Sequence, residues 1–360
     1  FFFKGAIRGE NHTCLMKQVP VFGDIEQCPL CKKSARRQPV QAKGYQEPTL
    51  FYIYHCTSCN TSFSLPRVDS TDIYQLIYEK GHKISGYNRY WRYYNEIEQQ
   101  KDPLRYLENV EPIYWGISMA LKKFLIGKKD AKILEIGSGL GYLTYALRNA
   151  GFTNAYGLEI AQEAVERANK RFGPFYIQAD LFQYAKEQTN NYDVIYLSEV
   201  IEHIEDSMGF IETSLSLLKD GGALIMTTPN KSFYPDTAIW ATDNPPVHCW
   251  WFSEESFKYI AECFDVAVSF IDYSEYYRNH ELTMINKKSY VNYVNKRFIF
   301  DAHGELIRVK SAKRKPGWRR AFKSFKRRFQ TKVYPMISKN FEVSGKRTTT
   351  MCVTLIKKSS

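Results

Sequence analysis

Three groups of residues have the types and spacing to do chemistry. The first is two cysteine pairs, Cys28-x-x-Cys31 and Cys56-x-x-Cys59, separated by 24 residues. Two such turns each present two thiolates, and together they supply the four ligands of a structural zinc ion. The remaining cysteines, Cys14, Cys249, Cys263 and Cys352, are scattered; without a signal-peptide pattern, the set favours metal binding in a reducing compartment over disulfides. The second group is Glu199, Glu202 and His203, spaced i, i+3, i+4. On a helical turn all three face one way. They could hold a divalent cation such as Mg2+ or Mn2+, which would lower the pKa of an acceptor hydroxyl. Two other readings stay open: His203 as a metal-free general base, and a turn with a packing role alone. The third group is Glu135-Ile-Gly-Ser-Gly-Leu-Gly141. Its G-x-G-x-G spacing departs from the G-x-G-x-x-G of dinucleotide sites, and Glu135 suits a ligand with a cationic amino acid end better than a pyrophosphate.

These groups need elements to hold them. Residues 24–66 are expected to form a zinc ribbon, with Leu50–Tyr54 as a strand and metal replacing the core that so few residues cannot build; its role is structural or, as the second reading, a platform for substrate. Residues 67–130 read as a helical connector or lid. Its stretch Tyr87-Asn-Arg-Tyr-Trp-Arg-Tyr-Tyr94 could line a cleft, cover a cofactor or pack as core. From residue 131 strands and helices alternate, which predicts a doubly wound parallel sheet. Strands are expected at 132–136, 154–159, 175–180, 192–198 and 223–228. Glu159, eighteen residues after Gly141, ends the second strand, where a carboxylate can accept two ribose hydroxyls; Asp180 ends the third, where ligands of open α/β sheets sit.

Taken in order, the 135–141 loop, Glu159, Asp180, residues 192–201 and residues 221–230 resemble successive motifs of class I S-adenosylmethionine-dependent methyltransferases. With the ribbon and connector, the chain resembles bacterial members that carry an N-terminal zinc ribbon, many of which act on sugars or glycans. The resemblance implies a Rossmann-like α/β domain with a seven-stranded, mostly parallel sheet whose last strand is antiparallel. It implies S-adenosylmethionine as cofactor, bound by Glu135, Gly137, Ser138, Gly139, Gly141, Tyr142, Glu159, Ile160, Asp180, Leu181 and Ser198. The Glu-x-x-Glu-His turn resembles that of ubiquinone-pathway O-methyltransferases and of small-RNA 2′-O-methyltransferases, in which a later His joins the metal. His248 stands in a comparable place, which makes Glu199, His203 and His248 the candidate catalytic residues.

In that fold two final strands pair after a short turn. Here they fit residues 265–271 and 350–357, so residues 273–347 are an insertion in a methyltransferase domain spanning 131–360. The chain has 50 Lys and Arg against 38 Asp and Glu, and twelve of the basic residues lie between Arg308 and Lys332 with no acid among them. Trp318, Phe322, Phe325 and Phe329 fall on one face of a helical pattern there. Residues 313–332 thus read as an interfacial helix on anionic lipid, as a nucleic-acid contact, or as a packed stripe with a solvated face. The absence of an 18-residue apolar run argues against a membrane span, so the expectation is a cytoplasmic protein, peripheral on the inner face of the cytoplasmic membrane. Residues 1–23 form an N-terminal extension, of which 1–15 are expected to lie upstream of a natural start at Met16. The expected activity is O-methylation of a sugar hydroxyl in a glycan or lipid-linked saccharide; the alternative is ribose 2′-O-methylation of RNA.

Overall fold

A computed structural model describes residues 22–84, 86–233, 244–280, 298–307 and 348–359. The ribbon is an antiparallel sheet of β1 (Ile25–Gln27), β2 (Ser34–Lys43), β3 (Leu50–Cys56) and β4 (Thr61–Leu65). A fifth strand, β10 (Trp250–Trp251), comes from the far end of the chain and pairs with β4. The sequence reading expected only the strand at β3. The connector supplies α1 (Thr71–Lys80), α2 (Asn88–Glu96), α3 (Pro103–Val110) and α4 (Pro112–Phe124). Prolines open α3 and α4, where the missing N–H costs nothing.

The large sheet has the order β11–β12–β9–β8–β5–β6–β7. Its parallel strands are β5 (Ile133–Ile136), β6 (Ala155–Glu159), β7 (Tyr176–Gln178), β8 (Tyr192–Ser198) and β9 (Leu218–Pro229). The strand β12 (Thr350–Ile356) runs antiparallel to both β9 and β11 (Ala267–Phe270). This is the mostly parallel, seven-stranded α/β sheet with an antiparallel last strand that the resemblance implied. Helices α5 (Tyr142–Asn149), α6 (Gln162–Phe172), α7 (Leu181–Glu187), α8 (Ser207–Ser216) and α9 (Glu254–Cys263) connect the strands, and α10 (Ser274–His280) follows β11. Strand order reverses at β5, with β6 on one side and β8 on the other. Ligand crevices in open α/β sheets form at the carboxyl ends of strands at such a switch point; the glycine loop follows β5 and the 199–203 turn follows β8.

Apolar side chains cover both faces of this sheet. One face packs against α3, α4 and α5 through Leu107, Trp115, Ile117, Leu121 and Leu147. The other is continuous with the ribbon: Tyr54 and Phe63 share a buried cluster with Trp250, Phe252, Phe257 and Leu224. Hydrogen bonds reinforce the junction. Ser256 of α9 bonds the Thr61 hydroxyl at 2.7 Å and the Cys59 carbonyl at 3.2 Å. Of the insertion, residues 273–280, which carry α10, and 298–307 are described; in the second piece buried Phe300 bridges to Gln46 of the ribbon and Leu306. The basic helix expected at 313–332 lies outside the described residues, as does the extension 1–21.

Candidate functional site

The glycine loop is built from β5 and α5. Gly139 and Gly141 have φ of +53° and +81°, a region that L side chains avoid. A Cβ on Gly141 would also come within 2.7 Å of the Tyr176 ring and 2.8 Å of Ala168, whereas one on Gly139 would meet nothing within 4 Å. Gly141 is therefore fixed by packing, and the space beside Gly139 is open to a ligand. Glu135 is buried beneath the loop and braces α5: it accepts from the Thr144 N–H at 3.0 Å, from the Thr144 hydroxyl, and from Tyr196 Oη at 3.0 Å. Burial still pushes its carboxyl up to about 7.

Glu135, Gly137, Ser138, Gly139, Tyr142, Ser198, Glu199, His203 and His248 all line one cavity of roughly 430 Å³. Five candidate cofactor residues do not line it. Gly141 carries the turn. Glu159 accepts from the Gly139 N–H at 2.9 Å and the Ala161 N–H at 3.0 Å, bracing the loop. The Ile160 carbonyl accepts from Gln178 Nε2 at 3.2 Å. Asp180 caps α7 through the Gln183 N–H at 3.1 Å, and Leu181 is buried in the core. The rest of the cavity wall comes from elements the sequence reading linked to it loosely or not at all. Arg89, Tyr90 and Trp91 of α2 belong to the aromatic stretch singled out above, but Tyr45 of the ribbon, Asn244 and Ile299 of the insertion carry no local signal. Arg89 is held by Glu111 at 3.2 Å and donates to Tyr90 Oη at 2.9 Å.

After β8 the chain does not form the helical turn expected at 199–203. Glu199 has φ +53°, and only Ile201–His203 form a short 3-10 turn. Glu199 thereby leaves the shared face: its carboxylate accepts from Thr350 Oγ1 at 3.3 Å. The group that converges is Glu202, His203 and His248, whose ligand atoms lie within 4.8 Å of one another. Glu202 is fully buried and accepts from Thr228 Oγ1 at 2.9 Å. The Nδ1–H of His203 donates to the Val247 carbonyl at 2.7 Å, which leaves the Nε2 lone pair 3.9 Å from Glu202 Oε1. Burial, and then the neighbouring His248, hold the pKa of His203 well below its ordinary value. His248 is depressed to about 3 by burial, and the two rings are 4.4 Å apart. Both imidazoles are neutral at pH 7.

The four ribbon cysteines are buried free thiols. Cys28 and Cys59 sulfurs are 3.7 Å apart, Cys31 and Cys56 3.4 Å. Disulfides need about 2.05 Å, whereas a tetrahedral Zn–S distance of about 2.3 Å separates sulfurs by about 3.8 Å. Burial pushes the Cys31 thiol up to about 11 and a hydrogen bond from Cys28 helps raise Cys59 further; a dication among them offsets that penalty. The cluster is compatible with zinc.

Residues 116–268 match the family model described as "Methyltransferase domain". This match places a methyltransferase domain at residues 116–268, and the sheet around it has the α/β class I methyltransferase fold. A ubiquinone biosynthesis O-methyltransferase of Xanthomonas campestris is 27% identical over 172 residues, 46% of this chain and 66% of the relative. The human mitochondrial protein of that name is 33% identical over 109 residues, 28% of this chain and 29% of the relative. The chain thus spans less than two thirds of the length of these relatives. A crystal structure of a SAM-dependent methyltransferase from Archaeoglobus fulgidus aligns over 67% of this chain and 93% of its own, at 15% identity and a TM-score of 0.39.

Proposed function

We propose that the chain transfers a methyl group from S-adenosylmethionine to a hydroxyl oxygen, on a saccharide acceptor. The observation that carries this reading is the single cavity shared by the glycine loop and the His203–His248 pair. The loop fits the cofactor on three counts: open space beside Gly139, the buried Glu135 carboxylate for an ammonium group, and the Ser138 hydroxyl, buried without a hydrogen-bond partner. The name O-methyltransferase shared by the curated relatives supports oxygen as the acceptor atom.

The sulfonium methyl is already activated, so the protein must align the acceptor for in-line attack and take its proton. Neutral His203, fixed by Val247 with Nε2 unprotonated, is the proton acceptor. As the alternative to His203 as base, Glu202, His203 and His248 fit a divalent cation such as Mg2+ or Mn2+, because two imidazoles and a carboxylate converge beside an Nε2 lone pair; held there it would occupy that lone pair and would supply a lowered pKa to the acceptor hydroxyl in place of the base. Ring-bearing walls suit a pyranose: Tyr45, Tyr87, Tyr90 and Trp91 line the cavity. Zinc at the four cysteines, and peripheral contact of residues 313–332 with anionic lipid, complete the proposal.

The test is radiolabelled methyl transfer from S-adenosylmethionine to a panel of saccharides, with Mg2+ or Mn2+ added after chelation. Transfer to a saccharide hydroxyl supports the reading. Transfer to RNA alone, at the ribose 2′ oxygen, would replace it.

A further inference from the structure

The ribbon lies beside the cavity, yet one stretch of chain ties it directly to the two histidines. We propose that the ribbon is a positioning module for the methyl-transfer site: β4, anchored at Cys59, sets the seat of His203 and His248 through residues 247–251. This rests on the functional reading above.

The ties run in both directions. On the ribbon side, Trp250 and Trp251 pair with Phe63 and Ser62 of β4, which starts two residues after Cys59. The Ser64 N–H donates to the Cys249 carbonyl at 3.2 Å. Arg67, just beyond β4, donates from Nη1 to the same carbonyl at 3.4 Å, and its guanidinium lies 4.6 Å from the centre of the Trp250 ring. On the site side, the Cys249 N–H donates to the Glu202 carbonyl at 3.0 Å and Trp250 Nε1 to the Ile204 carbonyl at 2.7 Å. The Val247 carbonyl takes the Nδ1–H of His203, and Tyr74 of α1 donates to it as well at 3.2 Å. His248 sits between these anchors.

A two-residue strand has little stability of its own. Its position is inherited from the sheet it joins, and that sheet is closed by the four thiols. The Val247 carbonyl selects the His203 tautomer by accepting its Nδ1–H, and errors of about 1 Å in such groups cost on the order of 100-fold in rate. A purely structural ribbon would lower stability when damaged without altering the His203 ring.

The experiment follows the His203 ring nitrogens by 15N NMR in the full chain, alongside S-adenosylmethionine affinity by calorimetry. Neither needs a methyl acceptor, so failure of the saccharide reading leaves the result interpretable. Cobalt absorbance reports whether the cysteine site is loaded. In Cys59→Ser, which loses the cobalt band, the His203 signals are expected to change from a single Nδ1–H tautomer to an exchanging mixture, with cofactor affinity within about twofold of the parent. Arg67→Met keeps the four thiols and is expected to give a smaller change in the same direction, which Arg67→Lys reverses. If Cys59→Ser does not fold, the Arg67 pair decides alone. A single, unshifted tautomer in Arg67→Met, or in folded Cys59→Ser, overturns the proposal.

Discussion

Glu135 shows how one residue links fold and ligand. Its pKa of about 7 lies above the unfolded value, because burial outweighs three hydrogen bonds. The folded state therefore keeps a proton that the unfolded chain releases, and stability falls as pH rises from about 4.5 to 7. The loss attributable to this residue is about 3 kcal/mol, read as the difference in urea stability between the parent and Glu135→Gln across that range; a constant difference would remove the residue from the pH response. A cofactor ammonium beside the carboxylate favours the charged form, so binding at pH 6.5 should release protons and make the calorimetric enthalpy depend on the buffer's ionisation heat. Gly139→Arg should abolish cofactor binding, since the side chain fills the open space and the backbone is left-handed; normal affinity would sink the loop assignment. His203→Ala should lower turnover at least about 100-fold while cofactor affinity is kept. The glycine loop was legible because its constraints are local: positive φ and close backbone approach demand glycine at fixed spacing. Glu199 was misplaced because helical spacing was assumed where the backbone is left-handed, and Tyr45 and Ile299 were illegible because only long-range packing brings them to the cavity.

Among the elements, α9 carries two jobs at its first turn. Ser253 and Ser256 form a reciprocal capping box, and Ser256 also reaches the Cys59 carbonyl and Thr61. Ser253→Ala should cost about 1 kcal/mol, the usual worth of a cap. Ser256→Ala removes the junction bonds as well and should cost more, in proportion to about 1 kcal/mol per buried hydrogen bond; equal urea midpoints for the two variants would show that the junction contributes nothing. The cap was readable from Ser253 followed by Glu254 and Glu255. The pairing of β10 with β4 was not, because two tryptophans in sequence give no sign of a partner strand nearly 190 residues away.

For the whole molecule, charge is the separable property. Twelve basic residues and no acid between Arg308 and Lys332 leave the rest of the chain neutral, at 38 of each sign. Deleting residues 313–332 should abolish co-sedimentation with anionic vesicles and leave cofactor affinity unchanged. Retained vesicle binding would sink the membrane proposal, and RNA binding that weakens steeply with salt would move the segment to the nucleic-acid reading. Among the described residues no helix is long and apolar enough to cross a membrane.

The chain leaves the large sheet after Phe270 and returns at Thr350 to pair beside it, with Phe270 opposite Val353. The two ends of the insertion are thus neighbours, and closing them with a brief hairpin would spare the sheet. Loop entropy changes only slowly with length, so a shorter insert would change stability through lost packing, that of Tyr276 on Trp115 and of buried Phe300 beside the ribbon, rather than through loop closure. The insert also carries Ile299 to the cavity wall, so this one junction joins the sheet to the cavity.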